Sequence, residues 1–474
     1  MTRRFVDALC HLNAVALNRG MLTCDSSSWY QVRQERTGEL SMFYAGASRV
    51  LITPPLGTTL AGYPGRPQGA QQVYDDIFIR ALVFENEGRL YALLTGDLMA
   101  VDTAWVDELR QRASKTLGIP QSHLMFAASH THSAIGGLLS FRDTVGKGVE
   151  AIFTDVEGGF DEVLYEYLLR QATSALAQAH SALRPCSVSV ARGEVSGIAT
   201  NRIHPERAVD PSCLVLQVTD ADGQAVAVIF HYCCHPTTLG NQDLGISGDF
   251  PGVACRIVES SLGPGCVALF LNGALGDIST RFSRRNQTYA EVERFGRILG
   301  GAVLQALGDS CPIDRPSLAA AVESLTLRPK SSRWLGQVED RAVGLRAELA
   351  LAEGSRPHGE IRQLETALQG TENSRRLLEA LNHITAIPLS IQRFSLTDTL
   401  DFVAVPGEMF ACASDDVERR FPGRTIRLVG TANGYLGYIP PAPAYEEGGY
   451  EVDSAFVEQG SSETIVQHIA TLLH

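Results

Sequence analysis

Leu124-Met125-Phe126-Ala127-Ala128-Ser129-His130-Thr131-His132-Ser133 is an apolar run that ends in two histidines spaced by one residue. The run is short, uninterrupted by charge and closed by a turn signal at Gly136-Gly137, so it reads as a buried strand. Side chains on a strand alternate faces, and residues i and i+2 project together. His130 and His132 are therefore expected to aim at one spot beyond the strand end. Convergent imidazoles at such a place form half of a metal site. An isolated His-x-His is equally a pair of ordinary core or surface histidines, so the rest of the chain has to decide.

Working outward, strand-like runs recur at Ile77–Glu85, Leu90–Thr95, Ser187–Arg192, Cys213–Thr219 and Val226–Tyr232. Between them, Ala104–Leu117 and Asp161–His180 carry apolar residues at the i, i+3, i+4 spacing of a helix. Asn86-Glu87-Gly88 and Asp220-Ala221-Asp222-Gly223 are hairpin turns. The class implied is mixed α/β, with a large central sheet or sheets and flanking helices. From Arg333 to His383 the composition shifts to Leu, Ala, Glu, Arg and Gln, interrupted by Gly354-Ser355-Arg356-Pro357-His358-Gly359. That pattern predicts an inserted helical hairpin, with Leu345 and Leu349 on one stripe and Ile361, Leu364 and Leu368 on the other. Such a hairpin is a packed surface excursion, a lid, or an arm through which the chain forms a homo-oligomer.

Composition narrows the partners. A hydrophobic share of 45% and a charged share of 20% suit a globular chain with a large core. The net charge of −13 argues against nucleic acid and against a polybasic membrane anchor. Ten cysteines without a Cys-x-x-Cys pair read as small buried hydrophobes, not a disulfide framework. The Phe5–Leu17 stretch is broken by Asp7, His11 and Asn13, unlike the apolar core of a signal peptide. No run approaches the roughly 18 to 20 apolar residues that span a bilayer. The expectation is a cytoplasmic protein, with secretion the lesser alternative. Residues 1–41 are expected to be a poorly ordered N-terminal extension ahead of one catalytic unit over 42–474.

A second histidine element is Ile229-Phe230-His231-Tyr232-Cys233-Cys234-His235-Pro236-Thr237-Thr238. Its proline stops pairing, and His235 is placed like His132, at a strand mouth where α/β enzymes gather their chemistry. Asp249 follows and is expected in a loop. Leu269–Asn272 then opens into a Gly-rich turn carrying Asn272, Asp277 and Ser279, which has neither the Lys nor the helix of a P-loop. Phe402-Val403-Ala404-Val405-Pro406-Gly407-Glu408 is an apolar strand that delivers a carboxylate, whose partner is an arginine or a metal. The Gly/Pro/Tyr-rich region from Ala432 to Glu451 holds Tyr435, Tyr438 and Tyr450, which are ligands, oxyanion donors or aromatic packing.

Taken in order, these elements resemble the neutral/alkaline (non-lysosomal) ceramidase family. The resemblance runs from Gly46-Ala47-Ser48-Arg49, Thr53-Pro54-Pro55 and Ala61-Gly62-Tyr63 through Gly96-Asp97, His130-Thr131-His132-Ser133, Asn201-Arg202 and His235-Pro236-Thr237. It continues with Leu275-Gly276-Asp277-Ile278-Ser279, Pro406-Gly407-Glu408 and Asn433-Gly434-Tyr435 to Tyr450-Glu451. It implies one zinc ion per chain held by His130, His235, Glu408 and Tyr438, with Tyr435 as the alternative tyrosine. It also implies His132 as the proton-transfer group, with Arg202, Ser279 and Tyr450 at the substrate; His231 has no counterpart and reads as structural. The chemistry implied is metal-assisted hydrolysis of an N-acyl amide, such as the lipid amide N-acylsphingosine.

Departures from the family pattern open alternatives. Ala134-Ile135 stand where the family has Gly-Pro, and Thr280-Arg281 where it has Pro-Asn, which adds a cation near the pocket. The chain ends 24 residues after Tyr450, and the family's C-terminal immunoglobulin-like domain is expected to be missing. A zinc hydrolase of a smaller amide, lactam or ester, in a polar cup rimmed by Arg281 or Arg202, retains every ligand. A non-catalytic binding protein on the same fold need not, and the joint presence of His130, His132, His235 and Glu408 speaks against it.

Overall fold

The computed structural model describes residues 43–66, 68–141, 145, 149, 154, 156, 158–352 and 358–474. The extension expected over 1–41, and Met42 with it, lies outside the described residues. The chain is mixed α/β, as its alternating patterns require. Eight long strands build the main sheet: β1 (Phe43–Leu51), β2 (Phe78–Asn86), β3 (Arg89–Gly96), β4 (Leu124–Ala128), β5 (Arg184–Glu194), β6 (Ser212–Asp220), β7 (Ala225–Tyr232) and β8 (Val267–Asn272). Their order is β8-β7-β6-β5-β1-β2-β3-β4, and a short strand at Cys311–Pro312 beside β5 makes nine. Only the outermost pairs, β3 with β4 and β7 with β8, are parallel; the pairs between them are antiparallel.

The sheet folds over itself, so that β8 also lies against β1 to β4. Phe84, Leu93, Met125, Leu216, Leu269 and Leu271 fill the space between the two halves. Alternation sends the neighbouring residues outward: Val83, Leu94 and Phe126 meet helices α1 (Thr103–Leu117) and α2 (Glu162–Ser181) through Trp105, Leu109, Leu168 and Leu176. On the opposite outer face Val215, Phe230 and Phe270 meet α3 (Asp249–Leu262) and α4 (Tyr289–Leu307) through Phe250, Val258, Phe295 and Leu299. A strand buried on both faces must be apolar at every position, which is why β4 reads as an unbroken run. Each large side chain so buried contributes about 2–3 kcal/mol relative to exposure. Asp102 and Asp161 cap α1 and α2, and both helices fall where the sequence periodicity puts them.

A second sheet follows, in the order β9 (Ala319–Leu327), β10 (Ile387–Thr397), β11 (Leu400–Ala404), β12 (Thr425–Val429), with the last pair parallel. The loop after β12 wedges between the ends of β4 and β8. Gly430 N–H donates to the Asn272 carbonyl at 3.0 Å, and Ala128 N–H donates to the Thr431 carbonyl at 3.1 Å. The loop turns there through residues in the left-handed region, Thr431 (φ 48°) and Asn433 (φ 60°). The C-terminal ends of β4, β7 and β8 and the segment following β11 are thereby brought to one place.

The helical hairpin is present as α5 (Leu335–Ala352) and α6 (His358–Leu381), inserted between β9 and β10. Its apolar stripe differs from the expected one. Leu345, Leu349, Ile361, Leu364 and Leu368 are only half-buried, whereas Val338 and Ala342 on α5 and Leu377, Leu378 and Leu381 on α6 go under. The hairpin packs at its base, next to the second sheet, and its outer turns remain solvated. No helix among the described residues is long and apolar enough to cross a membrane.

Candidate metal centre

His130, His132 and His235 converge, with ring centroids 4.9 Å apart for the first pair, 4.8 Å for His130 and His235, and 5.9 Å for His132 and His235. The reason is not the strand alternation expected from sequence. Strand β4 stops at Ala128, and His130 takes the left-handed conformation at φ 68°, so the chain turns sharply between the two histidines. A non-glycine residue held there is strained, a cost met at functional sites where the surroundings fix it. His235 likewise lies past the end of β7, in an extended segment bridged to Ser279.

Asn272, at the end of β8, ties both histidine-bearing loops together. Its amide donates to the carbonyls of Ser129 at 2.9 Å and Cys234 at 3.0 Å, the residues just before His130 and His235. Its side-chain oxygen accepts from the N–H groups of Cys234 and Gly273. Asp249, expected in a loop, is instead the first residue of α3. It accepts from the Thr238 N–H and hydroxyl at 2.9 and 2.7 Å, pinning the turn that follows His235. Gly62 supports His132: a Cβ there would lie 2.4 Å from the imidazole Cγ, and its φ of +99° already suits only glycine.

The ring tautomers follow from the neighbours. His130 Nδ1 faces the Met99 carbonyl at 2.9 Å, and His235 Nδ1 faces those of Leu275 at 2.6 Å and Ile278 at 3.1 Å. A carbonyl accepts only from N–H, so each neutral ring carries its proton on Nδ1 and offers Nε2 as a lone pair. Those Nε2 atoms approach Glu408, His235 to Oε2 at 2.8 Å and His130 to Oε1 at 3.5 Å. Burial pushes the His235 pKa down to about 3, with the Arg202 charge adding to it, so the ring is neutral near pH 7. Burial also lowers His130, against the pull of Glu408, and lowers His132 strongly, with His130 and His235 reinforcing it. For Glu408, burial works against the charge, but His130, His235 and Arg202 outweigh it and hold the carboxyl at about 2. A ring nitrogen and a carboxylate oxygen facing each other at 2.8 Å require a proton or a metal ion between them.

The orphaned atoms carry the same message. His130 Nε2, both nitrogens of His132, His235 Nε2 and Glu408 Oε2 are buried without a hydrogen-bond partner. The nitrogens of the three histidines lie within 4.8 Å of one another, and these residues could hold a metal ion. Convergent lone pairs in a dry site, with their far sides fixed by carbonyls, fit a divalent cation.

Glu408 arrives through a two-residue parallel pairing of Glu408–Met409 with Tyr438–Ile439. Tyr435 and Tyr438 therefore both reach the site, in different ways. Tyr435 donates its hydroxyl to Glu408 Oε1 at 2.6 Å. The Tyr438 ring lies 6.3 Å from that of His235 and 5.3 Å under the Arg202 guanidinium. Arg202 is held by Glu451 at 2.8 Å and by the Gly276 carbonyl at 2.6 Å. The turn that presents it is set by Asn201, whose amide donates to Asp277 at 2.7 Å. His231 stands apart, its Nε2 on the Leu428 carbonyl at 2.8 Å.

Beside His132 opens a cavity of about 500 Å³ lined by His132, Arg202, Ser279, Tyr438 and Tyr450 among others. Arg341 of α5 and Ala367 and Gly370 of α6 also line it, so the hairpin forms part of its wall. A second indentation of about 460 Å³, at Asp210, His231 and Asp415, reaches none of the three histidines. Sequence reading passed over Tyr63, whose ring sits 4.9 Å from that of His132, and gave Asn272 no role.

Fold and site define a mixed α/β protein with a buried histidine–carboxylate cluster at the ends of parallel strands, whose three histidines could hold a metal ion. Residues 43–289 match the family model described as neutral/alkaline non-lysosomal ceramidase, N-terminal, and the chain belongs to that family. It is 25% identical over 237 residues to the neutral ceramidase of Pseudomonas aeruginosa and 23% identical over 248 residues to that of Mycobacterium tuberculosis. Each match takes 46% of this chain but 34% and 37% of the relative, so the chain aligns with little more than a third of those proteins. The crystal structure of the Pseudomonas aeruginosa neutral ceramidase shares the fold, at a TM-score of 0.70 and 19% identity over 91% of this chain and 74% of that one.

Proposed function

We propose that this chain is a zinc-dependent amide hydrolase that cleaves an N-acyl, ceramide-like bond. His130, His235, Glu408 and Tyr438 are the residues we assign to hold one zinc ion. The observation that carries the reading is the set of buried, unpartnered lone pairs on His130, His132, His235 and Glu408. Zinc bound by nitrogen and oxygen ligands lowers the pKa of a coordinated water to about 7 and polarises a carbonyl. The relatives' name, neutral ceramidase, supplies the amide class.

His132 takes the proton from the attacking water and returns it to the leaving amine. Its two nitrogens are free of hydrogen bonds, and it lines the cavity that would admit substrate. Arg202 and Tyr450 flank Tyr438, and Ser279 lines the same cavity, so these three are placed to steady a developing oxyanion or a substrate hydroxyl. Between the two tyrosines we assign the ligand role to Tyr438. The Arg202 charge over its ring favours the phenolate, opposing the rise that burial imposes. Tyr435 orients Glu408.

Metal content of the purified protein, wild type beside His235→Ala, tests the proposal. About one zinc per chain, lost in the variant, is expected, together with hydrolysis of a short-chain ceramide or a simple N-acyl amine. No metal in either protein, after zinc is supplied during expression, would overturn it in favour of a binding protein on this fold.

A further inference from the structure

The lining of this cavity is unusual in a chain of net charge −13. Four arginines line it, Arg202, Arg281, Arg284 and Arg341, against a single carboxylate, Asp453. Two of the four are neutralised: Arg202 by Glu451 at 2.8 Å and Arg341 by Asp453 at 2.7 Å. The other two form no ion pair among the described residues, although the Glu451 carboxylate acts on Arg281 from a distance. Arg284 bonds the Thr237 carbonyl, and Arg281 engages only its backbone N–H, on Ser279 Oγ at 3.2 Å. The Ser283 and Arg284 N–H groups both donate to the Thr280 carbonyl, at 3.2 and 3.0 Å. That closes one helical turn, in which residues three apart share a side, and both guanidinium groups line the one cavity. Arg281 reaches solvent yet is crowded in the wall: desolvation, then the like charge of Arg202, lowers its pKa from the ordinary arginine value.

The same wall is poor in aliphatic surface. Among the described residues that line the cavity there is no Leu, Ile, Val, Met or Phe; its apolar surface comes from tyrosine rings, Pro64 and Ala367, and a much smaller cleft that shares Pro64, Gly370, Tyr450 and Asp453 with it adds only Val156 and Leu377 as aliphatic lining. A long acyl chain needs a continuous apolar channel to leave water, and a guanidinium pair offers it nothing. A planar fork of N–H donors does match a carboxylate or phosphate, which it can bind through two parallel hydrogen bonds.

We propose that the substrate of this site is a compact amide carrying an anionic group, a carboxylate or a phosphate, seated on Arg281 and Arg284 while its amide carbonyl lies beside His132. The proposal rests on the hydrolase reading for the cleavage step, but the anion seat can be tested apart from it.

Matched probes separate the two. N-hexanoylglycine is compared with its neutral methylamide, and N-hexanoyl-phosphoethanolamine with neutral N-hexanoylethanolamine, using zinc-loaded wild type, Arg281→Lys, Arg281→Gln and Arg281→Glu. In the wild type, kcat/KM is expected to favour the anionic member of at least one pair by about tenfold, and which pair responds distinguishes carboxylate from phosphate. Arg281→Gln should remove most of that preference, Arg281→Glu should reverse it, and Arg281→Lys should keep part of it. Zinc content and melting temperature report that each variant is folded. Calorimetric binding of N-hexanoylglycine and N-hexanoyl-phosphoethanolamine needs no turnover. Arg281-dependent binding without hydrolysis of any probe would sink the hydrolase reading and leave the anion seat standing. Equal handling of charged and neutral partners, or a preference that survives Arg281→Glu in a folded, zinc-loaded protein, would overturn the seat.

Discussion

The cradle and the hairpin wall of the same cavity are built on opposite principles. In the cradle the functional atoms of His130, His235 and Glu408 are buried and fixed from behind: His130 and His235 by carbonyls, Glu408 by Tyr435, the two loops by Asn272. In the hairpin most side chains are half-buried or exposed, and the stabilising contacts are ion pairs such as Arg346 with Glu372 at 2.7 Å, both well solvated. Such pairs contribute at most about 1 kcal/mol each, whereas shifting a buried, hydrogen-bonded side chain of the cradle leaves its polar partners unpaired. Strand ends therefore set the chemistry, and the hairpin can vary without touching it.

The largest effects are expected in the cradle. His235→Ala or Glu408→Ala should abolish stoichiometric zinc and lower kcat/KM on an N-acyl amide on the order of a thousandfold. A variant that keeps both zinc and activity would break the contrast outright. The tyrosines sharpen it. Tyr438→Phe should weaken zinc retention during dialysis against a chelator more than Tyr435→Phe does, because only one hydroxyl is assigned to the ion. The reverse order would transfer the ligand role to Tyr435.

Next in size is Asn272, which touches no substrate. Asn272→Ala removes two donors from buried carbonyls and one acceptor from buried N–H groups, leaving both histidine loops untied. Zinc affinity should fall roughly ten- to a hundredfold and the melting temperature should fall with it. Asn272→Asp should be at least as damaging, since a carboxylate would face the carbonyls of Ser129 and Cys234. Unchanged zinc affinity in both variants would show that the loops hold their shape unaided. At the hairpin, Arg341→Ala should leave zinc content intact, cost under about 1 kcal/mol in stability, and act mainly on KM through the freed Asp453. A loss of zinc there would mean that the wall and the cradle are one unit.

Much of this was legible in the sequence, for reasons tied to particular residues. The main strands and both flanking helices declared themselves because burial on one or two faces forces a period on the residue types, as in β4 and α1. Strand order did not, because the fold of the sheet over itself depends on contacts such as β8 with β4 that no local pattern records. The residues of the cradle could be picked out by type and position, but the route to their convergence was misjudged. The alternation argument assumed that β4 continues through His132, and the left-handed turn at His130 is dictated by the loop packed around it. Asn272 stood out as a polar residue after an apolar strand, yet its two partners lie 143 and 38 residues away in sequence. The hairpin was found from composition, but its buried stripe was not: the face that packs is chosen by the second sheet.

A test confined to acid pH probes burial on the cradle side through a histidine outside the cradle. His231 lies on β7, four residues before His235, buried to 7% exposure, and burial followed by the Arg427 charge lowers its pKa to about 4. In the unfolded chain a histidine titrates near 6.5. As pH falls from about 6.5 towards 4, the unfolded state takes up a proton that the folded state refuses, so stability decreases across that window. The full contribution is about 3 kcal/mol by pH 4. His231→Gln can keep the hydrogen bond to the Leu428 carbonyl but cannot titrate. Its melting temperature should therefore fall less steeply than that of the wild type between pH 6.5 and 4, whatever its value at neutral pH. Exposed hairpin pairs predict no such difference for Arg346→Gln, which serves as the control from the other wall. Parallel curves for wild type and His231→Gln would mean that His231 is protonated in the folded protein, and that this end of β7 is wetter than its packing implies.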